Sequence, residues 1–529
     1  MEQVGVRINE ERLLANLRYA FTNRSTVLTE LMQNARRAKA SFVAIDYDSD
    51  TETLVVRDDG VGIADFQALF TVGESGWDAA TVAAEHAFGM GFMKSLYSAR
   101  HCTVRSRGKV IAFDSAAALR GEPIEVRVTQ PTPETVVRLE GVKLTQLEQR
   151  MKELASGFAI PVIVNGVELE RPFALDRLPF VDTEIGHVHL VGTEDGKAAA
   201  ATLLLLQGFP IYGEARYATG WNIVHLDPAR FAARLPDRDM LIDEEEGVRA
   251  VERFLQAMWR TRLIQAKQAL SSAAFVERYF EAAQRWGARD LFDDVPLLPG
   301  ALFAHIAGYP VQEGYAEAEY LAPLPGLVRR EQIEGGQLTL VALSRPDGEN
   351  GPLWMFAKAK GRVVLVSGCL AAGHWLWPFV ADLDEAKPQV EIVGERIRAP
   401  LQGQWVAPEV VICEAYRVRL GEETVEIRDE AVFLPEGVIV VPAGEGSGAA
   451  VEQCSSFIDE HDHWHGEDRD ADVRALQVLI RRLRACDPAE AMRSLILDLR
   501  LEDYPSLRGR TFALTVGAQP AGHEVHMLA

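Results

Sequence analysis

Three short segments near the N-terminus carry the residue types of a phosphoryl site: ELMQN at Glu30–Asn34, DDGVG at Asp58–Gly62 and FGMGF at Phe88–Phe92. Glu30 and Asn34 stand four apart in a stretch with helical spacing, so both side chains leave one side of a helix. A carboxylate there can orient or deprotonate an attacking water, and an amide oxygen one turn on can hold Mg2+. Taken alone, Glu-x-x-x-Asn on a helix is a common solvated pattern. Asp58 ends a strand pattern, where a carboxylate can accept a hydrogen bond from an exocyclic amine such as adenine N6. Gly60 and Gly62 allow the backbone to turn and approach a flat ring, while Asp59 reads as exposed. Taken alone, DDG is a plain turn. Gly89, Met90, Gly91 and Phe92 open a helix, where successive N–H groups and the positive helix end make an anion cradle. The lysine–serine pair that follows sits outside a P-loop frame, and the order helix, hairpin, loop is not a Rossmann unit. Order and spacing within about a hundred residues make an ATP site the reading that unites the three.

These residues need elements to hold them. Helical spacing is expected over 9–21 and 26–39, with Leu28, Leu31, Met32 and Ala35 on the buried side of the second helix. Strands over 42–48 and 54–57 are joined through DSDTE as a hairpin. The segment 66–87 is rich in small residues and suits a mobile cover. A helix restarts over 92–99, and Lys94 on it reads equally as a phosphate contact or a surface lysine. Strands follow over 101–106, 109–115, 124–130 and 135–139, then a helix over 144–157. Asn165-Gly166 marks a tight hairpin. Residues 186–225 are strand-like, long helical patterns cover 244–270 and 272–286, and 330–445 alternate as strands with many turns. Helices close the chain over 472–483 and 488–499.

The bulk numbers exclude several classes. A chain of 529 residues is too long for one ordinary core. Its 55 Lys and Arg against 77 Asp and Glu leave a net charge of −22, which repels a polyphosphate backbone and disfavours generic nucleic-acid binding. The arginines of 474–484 read as a solvated helix face. Five scattered cysteines without a CxxC fit a reducing compartment. The longest apolar stretch, 363–383, is interrupted by Ser, Gly, His, Pro and Asp and reads as strand and turn, so no membrane span is expected and the cytoplasm is the expected location. The run Asp459–His465 is dense in metal-ligand types but reads as an acidic loop, and Ser367-Gly368-Cys369 reads as core.

The set resembles the GHKL ATPases, the group of DNA gyrase, the large ATP-driven heat-shock chaperone, histidine kinases and MutL. ELMQNARRA resembles the first family box, DDGVGI the second and FGMGFMKSLYSA the third, this last nearest the chaperone's FGVGFYSA form. ALFTVGESGW at Ala68–Trp77 is similar to that branch's lid start, and RLPDRDMLIDEEE to its LPLNISREML segment. The similarity runs from about Val4 to Leu270 and is strongest over 30–99.

The resemblance implies an α+β protein. A Bergerat-type ATP-binding α/β sandwich is expected over 1–172 and a transducer-like α/β domain of the S5 type over 173–270. A proline-rich, mostly β region is expected over 271–445, then an acidic linker and helical region over 446–529. The resemblance assigns Glu30 as catalytic base, Asn34 as Mg2+ ligand and Asp58 as adenine anchor, with Gly60, Gly62, Gly89, Met90, Gly91 and Phe92 shaping the pocket. It assigns Arg238 to the γ-phosphate from the second domain, a cation that would couple chemistry to domain closure.

One departure stands out. The family carries an acid three residues after the metal-binding Asn, and this chain has Arg37. Slow hydrolysis with retained binding is the expectation. The function expected is a heat-shock-protein-90-like, ATP-hydrolysing conformational switch with a chaperone-like role, a protein client and N-terminal homodimerisation. Two alternatives stay open: a MutL- or MORC-like ATPase in DNA repair or defence, and a catalytically weak nucleotide-sensing scaffold.

Overall fold

A computed structural model describes residues 9, 12, 16, 26–73, 76–78, 81–82, 89, 91–199, 201–213, 220–234, 239–312, 320–366, 368–395, 397–443, 448–485, 487–498, 501–517 and 522–528. Most of the helix expected over 9–21 lies outside them, as do Met90, Arg238, Ser367 and Cys486. The chain divides into two units, residues 1–269 with 278–288 and residues 270–277 with 289–529.

The first unit begins, in its described part, with α1 (Thr26–Arg37), in which every residue from Thr26 to Gln33 is buried. β1 (Val43–Asp48) and β2 (Thr53–Asp58) form the expected antiparallel hairpin, Asp48 facing Thr53. After the loop come α2 (Gly91–Ser98), β3 (His101–Ser106), β4 (Lys109–Asp114), a short α3 (Ser115–Leu119), β5 (Arg127–Val128), β6 (Thr135–Glu140), α4 (Leu147–Ala155), β7 (Val162–Val164) and β8 (Val167–Glu168). The eight strands make one sheet in the order β5-β4-β3-β6-β2-β1-β7-β8. All neighbours are antiparallel except β1 with β7.

Alternate residues explain the layering. Val43, Ile45, Leu54, Val56, Cys102, Val104, Val137 and Leu139 are all buried, the period-two pattern of a sheet with one covered face. They share one core with Leu28, Leu31, Met32 and Ala35 of α1, Phe92, Met93 and Leu96 of α2, and Met151 and Leu154 of α4. Asn165 and Gly166 both have positive φ, +47° and +80°, as the expected two-residue hairpin turn demands.

A second sheet in the same unit has the order β12-β11-β13-β10-β9, built from β9 (Val181–Thr183), β10 (Gly186–His189), β11 (Ala201–Leu206), β12 (Phe209–Gly213) and β13 (Trp221–Leu226). The helix α5 (Glu244–Ala269) buries Val251, Leu255, Trp259, Leu263 and Ala266, a stripe at helical spacing. Val251 and Leu255 share a core with Val188, Leu204, Val224 and Leu226 of the sheet, and Trp259 stacks on Trp286 at 6.2 Å.

The second unit holds a five-stranded, a four-stranded and a three-stranded sheet. It also holds a helix, Gly351–Ala359, inside a region whose sequence reads as strands. Seven of its nine residues are buried, so it lacks the polar face that would mark a helix by period. Near the C-terminus, Gly466–Arg484 is helical, and its buried Asp472 accepts backbone N–H groups from Gln404, Trp405 and Val406. His465 sits between Asp459 and Asp468 at 3.1 and 3.2 Å and lies over Trp405. Among the described residues no group of three or more His, Cys, Asp or Glu could hold a metal ion, and no helix is long and apolar enough to cross a membrane.

Other expectations need correcting. The strand expected over 124–130 shrinks to Arg127–Val128, an exposed edge paired only at Lys109 and Val110. Its neighbours Pro123 and Pro131 lack the N–H a longer ladder needs. Gly368 is exposed and Cys369 half-buried, so neither belongs to the core. The expected cover does not begin at Phe66, which belongs to the core. Phe70 packs edge-on against Phe92 and Phe113.

Candidate active site

α1 positions Glu30 and Asn34 one turn apart, and the segment reaches helix without an internal Gly or Pro. Arg36 and Arg37 close its last turn, where cations suit the negative end of the helix dipole. Arg37, in the place of the family's acid, therefore has a helix-stabilising position of its own. Asn34 is half-buried.

Glu30 is only 4% exposed, and a buried carboxylate needs a partner. Lys94, 3% exposed, places its Nζ 3.6 Å from Glu30 Oε1. Lys94 lies on α2, whose first residue is Gly91. A Cβ built on Gly91 would stand 2.3 Å from Glu30 Oε2. The carboxylate thus lies against the N-terminal residue of α2 and beside an ammonium, two features that favour negative charge. The two glycines of the third motif serve different ends. Gly91 makes room for Glu30, whereas Gly89 has φ of +65°, a conformation that side chains disfavour. Gly73 N–H donates to the Gly89 carbonyl, tying the preceding loop at Gly73 to this turn. Phe92 is core, its ring 5.7 Å from Phe70.

The second motif attaches at the other end of α1. Asp58 ends β2, and its Oδ1 accepts the Gly60 N–H at 3.0 Å. Val61 N–H donates to the Ala38 carbonyl at 2.9 Å, and a Cβ on Gly60 would stand 2.5 Å from the Ala38 Cβ. Gly62 has φ of +73°. The two adjacent acids have opposite fates. Burial pushes the Asp58 carboxyl above its ordinary range; the Gly60 N–H opposes this, while Asp59 and Glu134 add to it. Asp59 is exposed and bonded to the backbone and hydroxyl of Ser41, whose hydroxyl bond is the main cause holding its carboxyl low. From Glu30 to Ala38 the axial rise is about 12 Å, so a single helix spaces the acid-bearing turn from the glycine turn.

Two side chains escape a motif reading. Thr135 faces Asp58 across the β2–β6 ladder, is 6% exposed and bonds Ser106 Oγ at 2.9 Å. Ser106 Oγ in turn accepts the Ile63 N–H just past DDGVG. A threonine at a strand start carries no motif, and only the register shows it. Lys94 had a weak signal, lying three residues into the helix that the glycines open.

The arrangement pairs a buried carboxylate and ammonium at a glycine-opened helix end, with an amide one turn away and a second carboxylate beyond. The close approach at Gly91 leaves no space for a side chain beside the Glu30 carboxylate. Asn34, half-buried one turn from Glu30, is the residue here whose amide oxygen could hold Mg2+.

Residues 22–136 match the family described as histidine kinase-, DNA gyrase B-, and HSP90-like ATPase. No curated protein matches the chain. The matched stretch contains all three motifs and ends within β6. The chain carries over these residues an ATPase domain of the GHKL superfamily.

Proposed function

We propose that the protein is an ATP-binding and ATP-hydrolysing conformational switch of the heat-shock-protein-90-like kind, acting on a protein client. The observation that carries this reading is the seat of Glu30, buried against Gly91 and beside Lys94. In it Asp58 accepts the adenine amine, and the turns at Gly60, Gly62 and Gly89 bring backbone close to the ligand. Lys94 balances the charge of Glu30 and orients it. Glu30 takes a proton from the water that attacks the γ-phosphorus, and the bond to the leaving ADP oxygen breaks. Mg2+, when bound through Asn34, supplies neutralisation of phosphate charge. Arg238 would reach the γ-phosphate from the second domain, and closure would promote pairing of two N-terminal domains.

Arg37 favours a second reading, a nucleotide sensor that binds ATP and turns it over slowly or not at all. One pair of measurements separates the readings. ATP with Mg2+ should raise the melting temperature in either case. Phosphate release that Glu30→Ala abolishes supports hydrolysis; release unchanged by Glu30→Ala refutes the assigned base. Light scattering with a non-hydrolysable ATP analogue tests the dimer, and an unchanged mass refutes it.

A further inference from the structure

Gln33 sits between Glu30 and Asn34 on α1 and is 1% exposed. Its side-chain amide donates to Oε1 of Gln207, 174 residues away. Gln207 and Gly208 are the two residues that turn β11 into β12, with Leu206 facing Phe209. Their φ values, +54° and +87°, are both positive, as a type I′ turn requires. This tip is pressed onto the end of α4. A Cβ on Gly208 would stand 3.0 Å from the Gly157 carbonyl oxygen, and one on Gly157 would stand 2.6 Å from Leu205 Cδ1. The Phe158 and Phe209 rings lie 5.1 Å apart, and Phe209 belongs to the core of the first sheet.

Apolar contacts at this seat fix position but tolerate small rotations. An amide–amide hydrogen bond does not, because it weakens steeply with angle, and a buried amide that loses its partner is costly. Among the contacts that orient α1 about its axis are Glu30 to α2 and Gln33 to the β11–β12 turn. Residue 33 is one position from Asn34 and less than a turn from Glu30.

We propose that Gln207 is a positioning residue: through Gln33 it sets the rotation of α1, so the β11–β12 hairpin senses and controls the Glu30–Asn34 face. The proposal rests on the ATPase reading of that face. Its consequence is a two-way coupling, since a site that biases a second site is biased by it in return.

Gln207→Asn is the discriminating variant. Asparagine tolerates positive φ and keeps an amide, but it is one methylene too short to reach Gln33. The ATP-induced rise in melting temperature should persist but shrink, as reciprocal linkage requires, while kcat falls about tenfold, within the roughly hundredfold that a misplaced catalytic group can cost. Gln33→Ala should do the same, and the double variant should be no slower than either single one. Hydrogen exchange at Leu205–Phe209 should slow on adding ATP in the wild type and not in Gln33→Ala. Wild-type kcat in a folded Gln207→Asn protein, or losses that multiply in the double variant, would overturn the coupling alone. Should Gln207→Asn not fold, the exchange of the Gln33→Ala hairpin decides: an ATP-dependent slowing like that of the wild type overturns the proposal. A wild-type chain that neither melts higher with ATP nor releases phosphate overturns the ATPase reading, and the coupling with it.

Discussion

Lys94 Nζ lies 3.6 Å from Glu30 Oε1, with the two side chains only 3% and 6% exposed. Removing one member of a buried ion pair leaves the other charge in a poor solvent, which costs about 3–5 kcal/mol. Lys94→Met should therefore lower the free energy of unfolding by that amount in urea titration. Lys94→Met combined with Glu30→Gln should recover most of the loss, because the stranded carboxylate is gone. A single variant as stable as the wild type would show that Lys94 is not the counter-charge that matters.

Gly91→Ala tests the packing of the same carboxylate. The added methyl would overlap Glu30 Oε2 at 2.3 Å, and a side-chain end can swing away where backbone could not. The protein should fold, with Glu30 displaced. Phosphate release should drop about a hundredfold, the lower range of a general base's contribution. Activity within a factor of about three of the wild type would mean that the position of Glu30 is not critical.

Asp58→Asn should separate binding from folding. Asp58 is half-buried with its carboxyl pushed up chiefly by burial, so an amide there relieves an unfavourable charge. Stability without nucleotide should hold or rise, and the ATP-induced rise in melting temperature should vanish. A rise as large as the wild type's would remove Asp58 from the adenine site.

His225 offers a pH test of the second sheet. Its Nε2 bonds the Phe173 carbonyl at 2.7 Å, and burial, aided by the charge of His187, pushes its pKa below the ordinary 6.5; the Phe173 bond opposes this. The unfolded chain then takes up a proton near 6.5 that the folded chain still refuses, so the stability this group provides is complete above that pH and is lost as pH falls through the lower folded value. The melting temperature should drop from about pH 7.5 to about pH 5.5, and drop less in His225→Gln. Equal slopes would place the acid sensitivity elsewhere.

The local parts of the site were readable because they depend on near neighbours in sequence. The i,i+4 spacing of Glu30 and Asn34, the strand end at Asp58 and the Asn165-Gly166 turn each follow from a few adjacent residues. What escaped is non-local. The ion pair of Lys94 needs α1 and α2 to be packed, Thr135 needs the β2–β6 register, and Gln33 meets a residue 174 positions away. The helix Gly351–Ala359 escaped for another reason: burial on every side erases the periodic contrast that marks a helix.

The pairing of β1 with β7 sets a limit on how this protein can be cut. The family match stops at residue 136, yet Val162–Val164 cover the outer edge of β1 and Met151, Leu154 and Phe158 fill the same core. A fragment trimmed to the match would bare a hydrophobic ladder edge, inviting strand-to-strand aggregation. The smallest fragment fit for expression must run past Glu168.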